Sequence, residues 1–280
     1  MVKTTLNKLN SQPVEYINPK IPRGKIRFAI FDFDGTISLI REGWQQIMIP
    51  MMVEILMHTP KHESIDEVRE VVRHFVAKTT GKQTIYQMIR LVEEIEKRGG
   101  KAKDPLVYKQ QYHELLMNRI TNRLEGLRSG RLSPSEMCVP GALDALDLIT
   151  EAGICCFLAS GTDERYVMDE ADLLGVSPYF KGIYGAQDDY QNFSKRMVIQ
   201  KIIRENHLQG PELIAFGDGY VEIEDTKAAG GIAIGLATDE AARSGIDEWK
   251  RERLIASGAD AIMPDFTPFP ELWQFLMEED

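Results

Sequence analysis

The chain has 280 residues, 43% of them hydrophobic and 27% charged, with a formal net charge of −10. This composition is ordinary for a folded globular protein and excludes a fibre or a disordered chain. The acidic balance argues against non-specific nucleic-acid binding, which needs clustered Lys and Arg, so any attraction for an anionic ligand has to be local.

Three cysteines, Cys138, Cys155 and Cys156, follow no disulfide spacing. Cys155 and Cys156 are adjacent in an apolar run, so in a strand their side chains point to opposite faces and cannot bridge. Together with an N-terminus that lacks a signal-length apolar stretch, and with no run of about 18 apolar residues, this predicts a soluble cytoplasmic protein without a membrane partner.

Taken in chain order, residues 1–25 are polar and read as an N-terminal arm, extended or as a short helix, that packs loosely. Arg27–Phe33 is a short apolar run that stops at Asp-Gly, the form of a buried parallel strand. Residues 39–138 then hold no strand pattern but several helix signals. Ser64-x-x-Glu67 and Thr84-x-x-Gln87 read as capping boxes, Asp104-Pro105 as an N-cap followed by proline, and Gly99-Gly100 as a stop. The prediction is an insertion of roughly four helices. Residues 39–139 carry 16 Lys+Arg against 13 Asp+Glu, and the remainder 17 against 30, so the positive charge gathers on the insertion. Met48, Met51, Met52 and Met57 read as helix packing.

From residue 139 strands and helices alternate. Predicted strands are Ile154–Ala159, Leu213–Phe216, Ile232–Leu236 and the weaker Ala259–Met263. Predicted helices are Pro140–Ala152, Glu164–Leu174 capped by Thr162, and Lys195–Glu205 capped by Ser194. That alternation gives an α/β fold: a Rossmann-like, doubly wound parallel sheet over 26–38 and 139–280, with an inserted α-helical domain over 39–138.

Asp32-Phe33-Asp34-Gly35-Thr36 lies at the carboxyl end of the first predicted core strand, the edge where open α/β sheets place their sites. Two carboxylates two residues apart project to one side, so one can attack or bind metal while the other moves protons. Gly35 allows a sharp turn beside a phosphate. Gly81-Lys82 is not a P-loop, because Val76 stands where a glycine is required, and the five His residues lack zinc spacing.

FDFDGT resembles the first motif of the haloacid dehalogenase superfamily, and candidates for the other three motifs follow in order over 26–38 and 139–265. Leu158-Ala159-Ser160-Gly161-Thr162 resembles the second, although a helix-capping Ser/Thr segment fits the same residues. Lys195 resembles the third-motif lysine, with Lys181 and Lys201 as rivals. Gly217-Asp218-Gly219-Tyr220-Val221-Glu222 resembles the fourth, whereas Glu224 and Asp225 read as solvated helix charges.

The resemblance implies a phosphatase in which the insertion is a helical cap that closes over the site. It implies Asp32 as nucleophile, Asp34 as acid and base, and Ser160 and Lys195 on the transferring oxygens. It further implies a magnesium ion held by Asp32, the Asp34 carbonyl, Asp218 and Glu222. Family dehalogenases lack an Asp at the position of Asp34, which favours phosphoryl chemistry. Gly35, Thr36 and Gly161 would line the phosphate, and Arg41 and Lys82 would supply cap cations unless they are ordinary surface charges.

The stretch GDGYVEIEDTKAAGGIAIGLATDE is similar to a subgroup found beside sugar kinases, which implies a small sugar or polyol phosphate as substrate. A phosphomutase, or a non-catalytic regulatory protein on the same scaffold, remains the alternative. The sequence sets neither the oligomeric state nor the pathway.

Overall fold

A computed structural model describes residues 13–187 and 194–278. Seven strands form one sheet in the order β1-β7-β6-β5-β2-β3-β4. They are β1 (Glu15–Tyr16), β2 (Phe28–Phe31), β3 (Cys155–Asp163), β4 (Phe180–Ala186), β5 (Leu213–Gly217), β6 (Ile232–Leu236) and β7 (Ala261–Met263). All neighbouring pairs are parallel except β1 with β7. β2 sits between β5 and β3, so its carboxyl end opens where the strand order reverses.

The central strands are buried on both faces, as their unbroken apolar runs require. Ala29 and Phe31 of β2 pack with Ala145 and Leu146 of α6 (Ala142–Glu151), Val167 of α7 (Glu164–Leu173) and Leu272 of α11 (Phe269–Met277). Phe28 and Ile30 face the other way, onto Val198, Ile199 and Ile202 of α8 (Lys195–Glu205). α9 (Tyr220–Ala228) and α10 (Glu248–Ala256) bury Ile223 and Leu254 against Ala233 and Ile262.

Between β2 and β3 lie α1 (Gln45–Met57), α2 (Ile65–Thr79), α3 (Thr84–Lys97), α4 (Pro105–Arg128) and the four-residue α5 (Pro134–Met137). α1 packs on α2, α3 and α4, burying Met48, Met51 and Met52. Ser64 and Glu67 form the expected capping box, and the Asp104 carboxylate accepts from the Leu106 N–H at 2.8 Å. Among the described residues no helix is long and apolar enough to cross a membrane.

Several expectations are corrected. Residues 1–12 of the N-terminal arm lie outside the described residues, but the rest is not loosely packed. Val14 and Ile21 are buried, β1 extends the sheet by pairing antiparallel with β7, and Arg251 grips the Glu15 carboxylate with two 2.6 Å bonds. Thr84 is not a cap: α3 starts at Thr84 itself, behind Gln83. α6 begins at Ala142 rather than Pro140. Gly141 precedes it at φ +75°, where a Cβ would lie 2.7 Å from the Phe266 carbonyl carbon. Thr162 does not cap α7, because its hydroxyl is committed elsewhere, and β3 runs on to Asp163. β4 is not among the predicted strands: its sequence FKGIYGA is interrupted by two glycines.

Phe31 and Phe216, cross-strand partners at the ends of β2 and β5, stack at 4.8 Å, with Phe266 and Phe269 closing round Phe216. Each of the two stacked rings stands immediately before a loop that carries a candidate carboxylate. Phe216 is fully buried. Phe216→Ala is expected to cost about 3–5 kcal/mol in urea unfolding; a loss below about 1 kcal/mol would mean the aromatic floor relaxes freely.

Candidate active site

The Asp32 N–H donates to the Phe216 carbonyl at 2.9 Å, one step beyond the β2–β5 register, so the parallel ladder fixes the backbone at Asp32. The chain then turns. The Phe33 carbonyl accepts from the N–H groups of Ile37 and Ser38, both at 2.9 Å, and Gly35 adopts φ +76°. A Cβ on Gly35 would stand 2.3 Å from Asp218 Oδ2, so glycine is what lets the Asp218 carboxylate lie against this turn. Thr36 is buried in the same loop, with its hydroxyl lacking a hydrogen-bond partner.

β3 brings up Ser160 and Thr162. The Thr162 hydroxyl donates to Asp34 Oδ2 at 2.8 Å and that of Ser160 at 3.4 Å, while the Thr162 N–H donates to Ser160 Oγ at 3.0 Å. Gly161 sits where a Cβ would meet the Lys82 carbonyl oxygen at 2.9 Å, so the turn between α2 and α3 docks directly on this strand end. Lys195, in the first turn of α8, is buried and reaches Asp32 Oδ1 at 2.9 Å. Its rival Lys201 lies over the Tyr184 ring, and Lys181 is exposed beside Cys155.

Each of three cations is shared by two carboxylates. Lys195 lies between Asp32 and Glu222, Lys250 of α10 between Asp218 (2.8 Å) and Glu240 (2.5 Å), and Arg41 between Glu170 (2.6 Å) and Asp34 (3.8 Å). Six carboxylates against three cations leave the site short of positive charge. Burial, opposed by Lys195 and reinforced by neighbouring carboxylates, pushes Asp32 up to about 6. Burial likewise pushes Asp34 up to about 6 against the pull of Arg41. Glu240 is also raised, by burial first.

This charge shortage fits a divalent cation. The buried Oδ1 of Asp34 has no hydrogen-bond partner, and of the two Glu222 oxygens one meets Lys195 while the other has none. Among the described residues no three His, Cys, Asp or Glu side chains converge as a ready metal cage. Asp32, Asp34 and Asp218 all face one cavity of about 100 Å³, which Arg41, Lys82, Ser160, Gly161 and Lys195 also line. Glu222 does not line it and touches Lys195 from behind.

The structure thus gathers Asp32, Asp34, Ser160, Lys195 and Asp218, with buried Arg41 and exposed Lys82 also lining the cavity. Glu224 is exposed and Asp225 faces Arg196, apart from the cavity. Sequence reasoning missed Lys250, Glu240 and Glu170. Lys250 stands outside every motif, Glu240 closes the GDGYVEIEDTKAAGGIAIGLATDE stretch with no role marked for it, and Glu170 reads as one more charge on an amphipathic helix.

A family model described as haloacid dehalogenase-like hydrolase matches residues 26–230. No curated protein matches the chain. Among solved structures, a predicted phosphoglycolate phosphatase from Haemophilus somnus 129PT is similar at 15% identity and TM-score 0.60, over 89% of this chain and 99% of that one. A predicted phosphatase from Clostridium acetobutylicum gives 15% and 0.59, over 90% and 99%. A beta-phosphoglucomutase from Clostridium difficile gives 14% and 0.52, over 82% and 98%. At these identities the likeness is one of fold.

Proposed function

The chain belongs to the haloacid dehalogenase-like hydrolases, and from that premise we propose a magnesium-dependent phosphatase that acts through Asp32 on a small phosphorylated metabolite, most suitably a sugar or polyol phosphate. The observation that carries the reading is the pairing of Asp32 with buried Lys195, opposite an Asp34 held by Thr162.

Asp32, Asp218 and the Asp34 carbonyl would hold magnesium, which supplies positive charge against the phosphoryl oxygens. An Asp32 carboxylate oxygen attacks phosphorus in line, and the bond from phosphorus to the ester oxygen breaks. Asp34, poised to carry a proton near neutral pH because burial raises its pKa, protonates that leaving oxygen. Asp34 then takes a proton from water, whose oxygen attacks phosphorus. The bond to Asp32 breaks and inorganic phosphate leaves. Lys195, Ser160 and the N–H groups of the Asp34–Thr36 loop stabilise the oxygens through both steps.

The helices α1 to α4 act as the cap. A cavity of about 100 Å³ accommodates a phosphoryl group but not a macromolecule. Arg41, buried and held in place by Glu170, and exposed Lys82 serve as contacts to the rest of the substrate.

A panel of phosphorylated metabolites assayed with and without magnesium tests the reading. Phosphate release is expected only with magnesium, and fastest from a sugar or polyol phosphate. An isomerised phosphosugar without free phosphate would instead assign a mutase. A phosphopeptide or oligonucleotide hydrolysed faster than every small ester would overturn the substrate class.

A further inference from the structure

A second cavity, of about 880 Å³, lies between the insertion and the core, walled by α2 and α3 on one side and α9 and α10 on the other. Lys82 lines both this groove and the smaller cavity of the candidate active site. Two hydrogen bonds cross from core to insertion beside it. The Tyr220 hydroxyl donates to the Lys78 carbonyl at 3.3 Å, and the Arg253 guanidinium donates to the Thr80 carbonyl at 3.2 Å.

The charges of the groove are uneven. Two carboxylates line it: Glu94 is consumed by Arg90 and Arg98, with Lys97 also facing it, and exposed Glu224 lies within electrostatic reach of Arg253. Lys78, Lys82 and Arg253 form no ion pair with any described residue, in a chain whose net charge is −10. Arg253 is fixed between the rings of Tyr220 (4.8 Å) and Trp249 (4.7 Å), so its guanidinium is presented rather than free to wander. Buried Phe75 gives the same groove an apolar surface. Small-molecule sites typically occupy roughly 300–1,000 Å³, with apolar walls and a few fixed polar groups.

We propose that this groove is a second binding site, for a small organic polyphosphate. Lys78, Lys82 and Arg253 hold its phosphate oxygens, and its carbon skeleton lies on Phe75 and Tyr220. Phosphate is the chemistry these cations recognise, with Arg253 offering a planar fork and the lysines mobile point charges. A ligand there touches both walls and so ties the insertion to the core. The site goes beyond the proposed hydrolysis and does not depend on it.

Titration calorimetry of the full chain with inorganic tripolyphosphate, in EDTA and at fixed ionic strength, provides the test. Wild-type protein is expected to show one saturable site. Lys78→Glu, an exposed change on α2, should raise Kd at least about tenfold through lost attraction and added repulsion. Ser160→Ala, in the neighbouring cavity, should leave Kd unchanged. Lys78→Met reads out the same contact if the Glu variant fails to fold by circular dichroism.

Two sources of polyphosphate separate in kinetics. A distinct molecule lowers kcat on a monophosphate ester without competing, whereas the far end of a substrate competes, and Lys78→Glu then raises KM only for substrates with a second phosphate. Absence of saturable binding, equal Kd in wild type and Lys78→Glu, or a Kd that follows Ser160→Ala instead overturns the proposal. The titration needs no turnover, so its failure is distinct from failure of the phosphatase reading.

Discussion

Asp32→Asn is expected to lower kcat by about 10⁴-fold or more while the protein remains folded. An amide oxygen is a poor nucleophile, and among the described residues no other carboxylate stands at the end of β2 facing Lys195. The factor corresponds to about 5.5 kcal/mol of lost transition-state stabilisation. The stability of the variant separates this outcome from misfolding. Burial raises the Asp32 pKa to about 6, so the folded state binds its proton more tightly than the unfolded chain does. For an acid shifted in that direction, stability falls as pH rises from the ordinary carboxylate value to about 6. At pH 7.5 that penalty is fully present in metal-free protein. The neutral amide removes it, so the variant's melting temperature in EDTA should match or exceed wild type. Turnover within tenfold of wild type on the best panel substrate would remove Asp32 from the mechanism.

Withdrawal of magnesium is expected to have an effect of similar size. Dialysis against EDTA should abolish phosphate release and added magnesium should restore it. Asp218→Ala should lower kcat/KM by about 10³-fold even at high magnesium, since a divalent ion supplies several kcal/mol of charge stabilisation to the transferring oxygens. Asp218 is the fourth-motif carboxylate that faces the cavity, and its Oδ2 is already committed to Lys250. Its substitution should also weaken magnesium binding measured directly by calorimetry, with no turnover involved. Full activity in EDTA would end the magnesium reading. Unchanged binding in Asp218→Ala would move the metal elsewhere.

Local chemistry explains which parts of this molecule were legible in its sequence. Short β-branched and aromatic runs ending in Asp-Gly, Ser-Gly or Gly-Asp marked β2, β3 and β5, because a strand buried on both faces has no polar alternation to blur it. The capping residues Ser64, Asp104 and Ser194 marked helix starts through side chains that satisfy backbone N–H groups. β4 escaped because, as an edge strand with two glycines, it gains its conformation from pairing with β3 rather than from its own propensity. Thr162 was misread because one hydroxyl can either cap a helix or bind a distant carboxylate, and only tertiary placement decides. Arg41 and Lys82 stand out by charge and by place, one just beyond the first motif and the other in the Gly-Lys-Gln turn between two cap helices. Burial with Glu170 distinguishes the first from a surface arginine, and nothing in the sequence placed Glu170, Glu240 or Lys250 beside the motif carboxylates.

The sharing of Lys195, Lys250 and Arg41 among six carboxylates has a consequence for the order in which the protein is assembled. A fold whose acidic residues met only one another would have to wait for its ion, as small metal-nucleated domains do. Here each carboxylate already has a resident ammonium or guanidinium neighbour. The β2, β3 and β5 loops can therefore come together on the newly made chain before any ion arrives. On the proposed magnesium reading, loading would be a late, reversible event on a finished scaffold, and an ion would exchange over the lifetime of the molecule without the chain having to refold.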